Sequence, residues 1–520
     1  MANSIGKISA VTVGGAAIAA VLMVVCFGTL AAVLWRADGS GFGPADASAI
    51  KFTVLQAAVS ALVSVGLAVP VARALARRQF AGRALLITLL GAPFLMPVIV
   101  AVFGILHVFG RAGVLNTGLV SLGLPAVSIY GFHGVVLAHV FFNLPLAVRM
   151  ILQGWQAIPA ERFRLAAALG FAPADILRHL ERPMLREVLP GAAMVIFTLC
   201  LSSFAVALTL GGGPRATTVE LAIYQSLRFD FDLGRAAGLA AVQFMLCAAA
   251  VLLGLTFTRG AQFGAGLDRR TVQWAGSGRV GLAQDAIAIG LASAFLLLPL
   301  ALVVLRGLPG LADLPASVWP ALARSLLVAT VSTVLTMAAA IIVALAIVQG
   351  HLAKPVEIAA MLPLAASSLV LGTGLFLIVQ PWIAAERLTL TITALVNATL
   401  AFPFVLRLML PAFRVVEADY GRLATSLSLT GMARWRWVIL PRLRAPLGFA
   451  AGVVAALSIG DLGVVALFAG ERGVTLPLLV QRLMGAYRMD AAAAAALVLI
   501  SVSFAVFWLL DWEGRRHVDP

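Results

Sequence analysis

The sequence predicts an all-α polytopic membrane protein with about 12 transmembrane helices, arranged as two six-helix halves repeated in parallel. Three observations predict this class. The chain of 520 residues is 62% apolar and only 11% charged, with a mean hydropathy of +1.04, far outside the range of soluble globular domains. Its apolar residues fall in runs long enough to cross a bilayer, which takes about 20 residues per helix. Prolines and arginines of the first half recur in the second at one fixed spacing.

The runs lie near residues 12–34, 52–76, 84–109, 131–156, 188–212, 236–258, 283–306, 321–348, 356–380, 388–413, 446–470 and 489–511. The first, following Lys7, is longer than the apolar core of about 7–15 residues in a signal peptide, so it reads as a span that stays. With the N-terminus inside, roughly two thirds of the 37 Lys and Arg fall in cytoplasmic segments, as the positive-inside rule requires. That bias places both termini in the cytoplasm. It also accounts for the net charge of +15 without nucleic acid. Cys26, Cys200 and Cys247 each sit inside an apolar run with no metal or disulfide spacing, and read as packing residues.

The repeat begins where NLPLAVRMIL (Asn143–Leu152) parallels AFPFVLRLML (Ala401–Leu410). A shift of 258 pairs Pro145 with Pro403, Arg149 with Arg407, Ala166 with Ala424, Leu169 with Leu427 and Pro183 with Pro441. The register continues through LSSFAVALTLGG (Leu201–Gly212) and SIGDLGVVALFAG (Ser458–Gly470). The halves are therefore 1–260 and 283–520, joined by a Gly- and Arg-containing linker at 261–282. An even number of spans per half makes the repeat parallel, about an axis along the membrane normal. A pathway on such an axis suits transport.

Between the fourth and fifth spans of each half lies a charged insert, RLAAALGFAPADILRHLERPML (Arg164–Leu185) in the first and RLATSLSLTGMARWRWVILPRL (Arg422–Leu443) in the second. The first reads as a helix with Ala and Leu on one side and Arg on the other. Gly170 suits the left-handed residue that ends it, Pro173 the first turn of a second short helix, and Pro183 closes that element. An amphipathic loop resting on anionic lipid is one reading. Duplication in register favours two docking points for a two-fold partner. A DNA-reading role would leave the second helix pinned at the bilayer.

These inserts resemble the EAA loop of the permeases of ABC importers, through Ala166, Ala167, Gly170 and Pro183 and, in the second half, Ala424, Ser428 and Pro441. The resemblance implies a coupling helix seated on a cytoplasmic ATPase. Ser428 departs from the usual Gly, so the second turn is expected to be built differently, with Gly431 as its pivot. GVVLAHVFFNLPLAVR (Gly134–Arg149), LGGGPRATTVELAIYQ (Leu210–Gln225) and LSIGDLGVVALF (Leu457–Phe468) resemble the thiamine-importing members of that family. They imply a permease in a bacterial inner membrane that takes up thiamine and its phosphates by alternating access. The implied partners are two copies of an ABC ATPase, which hold ATP and Mg²⁺, and a periplasmic thiamine-binding protein; no cofactor is implied on this chain.

The chain itself shows no ATP site. Its lysines are Lys7, Lys51 and Lys354, none after a glycine-rich turn as a phosphate loop requires. LGGGP (Leu210–Pro214) lacks the lysine. His133, His139 and His107 read as satisfied polar positions. Asp461 is the acid well inside a predicted span, where a carboxylate is a functional candidate: a counter-ion for a cation, a partner for an Arg, or a cap on a broken helix. Ser202 and Ser203 hold the matching place in the first half. The external segment Gly211–Arg235, with Arg215, Glu220 and Tyr224, is a candidate docking surface for a binding protein or a solvated amphipathic loop; Gly470–Asp490 is its counterpart. The same architecture importing ferric iron or a phosphonate is an alternative. An ion-coupled secondary transporter is a rival of another class, and needs more than one coupling carboxylate.

Overall fold

The computed structural model describes residues 10–37, 43–211, 213, 216–257, 278–350, 353–470 and 473–516, and among them it is helical, without strands. Among the described residues, eleven helices are long and apolar enough to cross a membrane, twelve when one bent pair is taken as a single span. In the first half α1 (Ala10–Arg36) and α2 (Pro44–Arg77) are the first two spans. The third is broken into α3 (Arg83–Leu89), α4 (Ala92–Leu95) and α5 (Val98–Phe109), followed by α6 (Val114–Ser121). The fourth is α7 (Phe132–Ala157), and the insert starts with α8 (Ala160–Ala168) and α9 (Pro173–Ile176). The fifth is α10 (Arg182–Leu201) with α11 (Phe204–Leu210), α12 (Val219–Arg228) lies outside it, and α13 (Leu233–Phe257) is the sixth.

The second half follows the same order. Its first two spans are α14 (Arg279–Gly307) and α15 (Val318–Gln349), and its third is α16 (Ala353–Met361) with α17 (Ser368–Val379), bent by 94°. The fourth, α18 (Thr389–Ser426), runs unbroken into the insert, which continues with α19 (Gly431–Arg434). The fifth is α20 (Leu440–Ile459) with α21 (Gly463–Phe468); α22 (Leu476–Gly485) precedes the last span, α23 (Met489–Arg515).

The expected continuous spans at 84–109, 188–212, 356–380 and 446–470 are each interrupted. Proline explains the first: Pro97 forces Met96 into an extended conformation, φ −83° and ψ 134°, because its ring excludes the α region for the preceding residue. Pro363 stands in the corresponding stretch of the second half. Pro159 likewise parts α7 from α8, whereas Glu417 at the matched position lets α18 run through.

The helices gather into two compact units that cut across the sequence halves: Met1–Phe42, Ala222–Met245 and Pro309–Pro520 form one, and Gly43–Leu221 with Leu246–Leu308 the other. In the first unit α1 packs on α15 and α17; in the second α14 packs on α5 and α2. Each half thus lends its first helix to the unit built from the other. The crossings share one device. A Cβ on Gly374 of α17 would sit 2.7 Å from the carbonyl oxygen of Thr29 in α1, and one on Gly104 of α5 would sit 2.7 Å from that of Pro299 in α14. Gly374 follows Gly104, and Pro299 follows Thr29, by the same 270 residues. Small residues permit such close approach where helix association depends on packing. The linker at 261–282 lies, up to residue 277, outside the described residues.

Candidate functional site

The two inserts share one turn. In the first, the N–H groups of Leu169, Gly170 and Phe171 donate to the carbonyls of Leu165, Ala167 and Ala166, and Gly170 takes φ +68°. In the second, Leu427, Ser428 and Leu429 donate to Leu423, Thr425 and Ala424, and Ser428 takes φ +52°. This corrects the expectation of a differently built turn: the backbone hydrogen bonds set the left-handed conformation, and serine adopts it. Gly431, also at positive φ (+54°), opens α19 in the place of Pro173. A left-handed non-glycine residue costs about 1–2 kcal/mol. Ser428→Gly is accordingly expected to stabilise the second insert by about 1 kcal/mol, read as slower amide exchange over 424–434; unchanged exchange would mean the turn is unstrained.

Ala166 and Ala424 are buried beneath these turns, with Phe163, whereas Ala167, Gly170, Pro183, Ser428 and Pro441 are exposed. The leucines do not join the alanines, as the helical pattern suggested. Leu165 and Leu169 are 61% and 62% exposed, and their counterparts Leu423 and Leu427 are 54% and 61%. Each insert then passes through a π-turn, Leu177–Glu181 and Trp435–Ile439, and continues directly into α10 and α20. Pro183 therefore does not close its element. It and Pro441 sit in the first turn after the π segment, where the hydrogen-bond spacing changes and a missing N–H is tolerated. From α9 and α19 onward, insert and fifth span form one rod in each unit.

Those rods break at Ser202–Ser203 and at Gly460–Leu462. Beside each break is a buried polar cluster made by matched residues. In one unit Ser60 of α2 meets His139 of α7 at 3.3 Å, Gln56 donates to the carbonyl of Cys200 at 2.9 Å, and Asn143 donates to the Cys200 sulfur at 3.3 Å. In the other, Ser332 of α15 bonds Ser458 of α20, to which Asn397 of α18 donates at 3.0 Å. Ser332 follows Ser60 by 272 residues, and Asn397 and Ser458 follow His139 and Cys200 by 258. The carboxylate of Asp461 faces the backbone N–H groups of Gly463, Val464 and Val465 at the start of α21; its Oδ2 is buried without a hydrogen-bond partner, and it forms no ion pair among the described residues. The three cysteines are buried free thiols. His107 bonds the carbonyl of Phe103 at 2.9 Å and His133 that of Ser128.

The segment expected to lie outside changes in detail. Glu220 is wholly buried, which withdraws it from an exposed docking face, because the first turn of α12 is packed inward. Arg215 lies outside the described residues. Tyr224 is half-buried, edge-on to Phe229 at 5.8 Å, and burial holds its phenol above the ordinary range. Arg228 and Arg482 both donate to the carbonyl of Ala469, at 3.3 and 3.4 Å. Sequence reasoning missed Phe231 and Tyr487, which lie after α12 and α22, each two residues before the last span of its half. They are 79% and 87% exposed, with φ +51° and +57°. Nothing in an aromatic residue type announces a left-handed backbone, so only their matched spacing was a signal.

No family model matches the chain. Among curated proteins it is 40% identical over 482 residues to the thiamine transport system permease protein ThiP of Escherichia coli, covering 90% of this chain and 89% of the relative. Identity to ThiP of Salmonella typhimurium is 39% over 481 residues, again 90% of this chain and 89% of the relative. To ThiP of Brucella abortus it is 37% over 525 residues, covering 96% and 94%.

Proposed function

This chain belongs to the family of thiamine transport system permeases, and from that premise we propose that it carries thiamine and its phosphates from the periplasm to the cytoplasm across a bacterial inner membrane. Both termini lie in the cytoplasm. Two copies of an ATPase, holding ATP and Mg²⁺, dock on the duplicated inserts, and a periplasmic thiamine-binding protein delivers substrate. The exposed leucine pairs carry this reading: Leu165 and Leu169 in one insert and Leu423 and Leu427 in the other stand at equivalent places on equivalent turns. Exposed apolar groups at matched sites suit a two-fold partner.

The mechanism follows from continuity. Each insert runs through its π-turn into the fifth span, so closure of the ATPase pair displaces the fifth span as a rod. The breaks at Ser202–Ser203 and Gly460–Leu462 let the outer segments α11 and α21 hold while the inner rods move, opening the pathway outward. Nucleotide hydrolysis resets it. The ligand shifts the equilibrium only by its preference for one state.

Vesicles holding the complete complex should take up labelled thiamine with ATP and loaded binding protein, and thiamine phosphates should compete. Competition by ferric iron or a phosphonate instead would reassign the cargo. Uptake without the ATPase that collapses with the proton gradient would establish a secondary transporter. Leu169→Asp is expected to weaken ATPase association about tenfold, or 1.4 kcal/mol, as measured by titration of the purified permease; undiminished affinity counts against docking at this face.

A further inference from the structure

The first insert is tied to the second span by charge. Glu181, at the end of the first π-turn and 1% exposed, meets Arg73 of α2 at 2.9 Å. Four and five residues further along, Arg77 and Arg78 reach Asp285 in the second turn of α14, at 4.0 and 2.6 Å. Arg83 returns to the same helix end, donating to the carbonyl of Leu75 at 2.9 Å. A chain of ionic contacts therefore runs from the insert to α2 and on to α14, the helix that begins the second half of the sequence.

The second insert lacks this chain. The residue matching Glu181 is Ile439, at the spacing of 258, and the residue matching Arg73 is Leu345, at the 272 that relates α2 to α15 through Thr53 and Ser325, Ser60 and Ser332, and Ser64 and Thr336. Ile439 is a member of an apolar cluster, and Leu345 packs against that cluster. Ile439 thus stands where the first half has a charge, and this insert is braced on the helix that carries it. Arg434 pairs with Glu417 of α18, and the guanidinium of Arg442 lies 3.8 Å from the ring centre of Tyr420 on the same helix.

The geometry points to Glu181 and Arg73 as positioning residues for transport, forming with Arg77, Arg78 and Asp285 an ionic joint that transmits movement of the first insert to α2 and α14, while the second insert moves with α18. This inference rests on the docking of the ATPase at the inserts. A buried ion pair is weak evidence for stability alone, since apolar residues serve as well, and the second half uses them at the matched place. Arg73 remains 28% exposed, so the joint is not sealed among the helices and can open and re-form during a cycle.

The test uses the complete complex in vesicles and reads thiamine taken up per ATP hydrolysed, with ATPase association measured separately in the same preparations. Glu181→Gln is expected to lower that ratio by about fivefold or more, the lower range of typical coupling between sites, with association unchanged. Glu417→Gln should leave the ratio within about twofold of the parent. The exchange of Arg73→Glu with Glu181→Arg should restore what Glu181→Gln removes. An unchanged ratio in Glu181→Gln overturns the joint, and so does an equal loss in Glu417→Gln. Failure of the exchange to restore the ratio overturns the pairing. Failure of Glu181→Gln to assemble, cured by the exchange, makes the pair merely structural and also overturns it. If the parent permease binds no ATPase, it is the docking reading that falls.

Discussion

Gly374→Val is expected to leave little folded protein. The Cβ of any other residue at 374 would lie 2.7 Å from the carbonyl oxygen of Thr29, closer than carbon and oxygen approach without bonding. The obstacle is backbone, and it cannot swing aside. Thr29 is itself fixed, because its hydroxyl donates to the carbonyl of Val25 at 2.7 Å within α1. Relief requires α1 to move away from α17, and overpacking that shifts backbone costs about 1–3 kcal/mol or more. Valine adds two methyl groups to that clash. Gly104→Val should behave alike against Pro299. The control is Gly66→Ala, where an added Cβ meets nothing within 4 Å and mid-helix alanine gains about 0.5–1 kcal/mol. Thermal unfolding in detergent and the membrane level of each variant decide the matter. A Gly374→Val protein that melts with the parent would mean that α1 is held loosely at this crossing.

The crossing also marks what could be read from residues in order and what could not. The span positions were legible because crossing a bilayer demands long apolar runs, and the inserts were legible because their charges interrupt those runs twice in one register. The exchange of α1 and α14 was not. Hydropathy says that a helix crosses but not which neighbour it meets, and Gly104 and Gly374 acquire meaning only opposite Pro299 and Thr29. Pro97 and Pro363 did announce broken third spans, but the surrounding apolar residues outweighed them. Ser428 misled for a different reason. Residue type biases the sign of φ, whereas the hydrogen bonds from Leu427, Ser428 and Leu429 decide it. Glu181 was one acid in a charged segment, distinguished only by Arg73, about a hundred residues earlier and on another helix.

Asp461 is where charge and shape give opposite predictions, and three variants separate them. Thiamine is a cation, so a carboxylate within a span invites the role of counter-ion. The position favours a cap: the carboxylate faces the N–H groups of Gly463, Val464 and Val465, donors that the break after Ile459 leaves without helical partners. The first half supports this assignment, since Ser203 occupies the matched place, the rod breaks there too, and no charge is present. Asp461→Leu should therefore be severe. It removes the acceptor that faces the free N–H groups at the start of α21, and a buried donor left unpaired costs about 1–3 kcal/mol where no bulk water substitutes. Asp461→Asn and Asp461→Ser keep an acceptor, and their stability should stay within about 1 kcal/mol of the parent, as among good capping residues. Uptake of thiamine by Asp461→Asn should remain within about twofold, since less than 0.5 kcal/mol of binding is then at stake. A tenfold rise in the concentration of delivered thiamine needed for half-maximal uptake, with melting unchanged in the same variant, would overturn the cap and assign Asp461 to the substrate's charge.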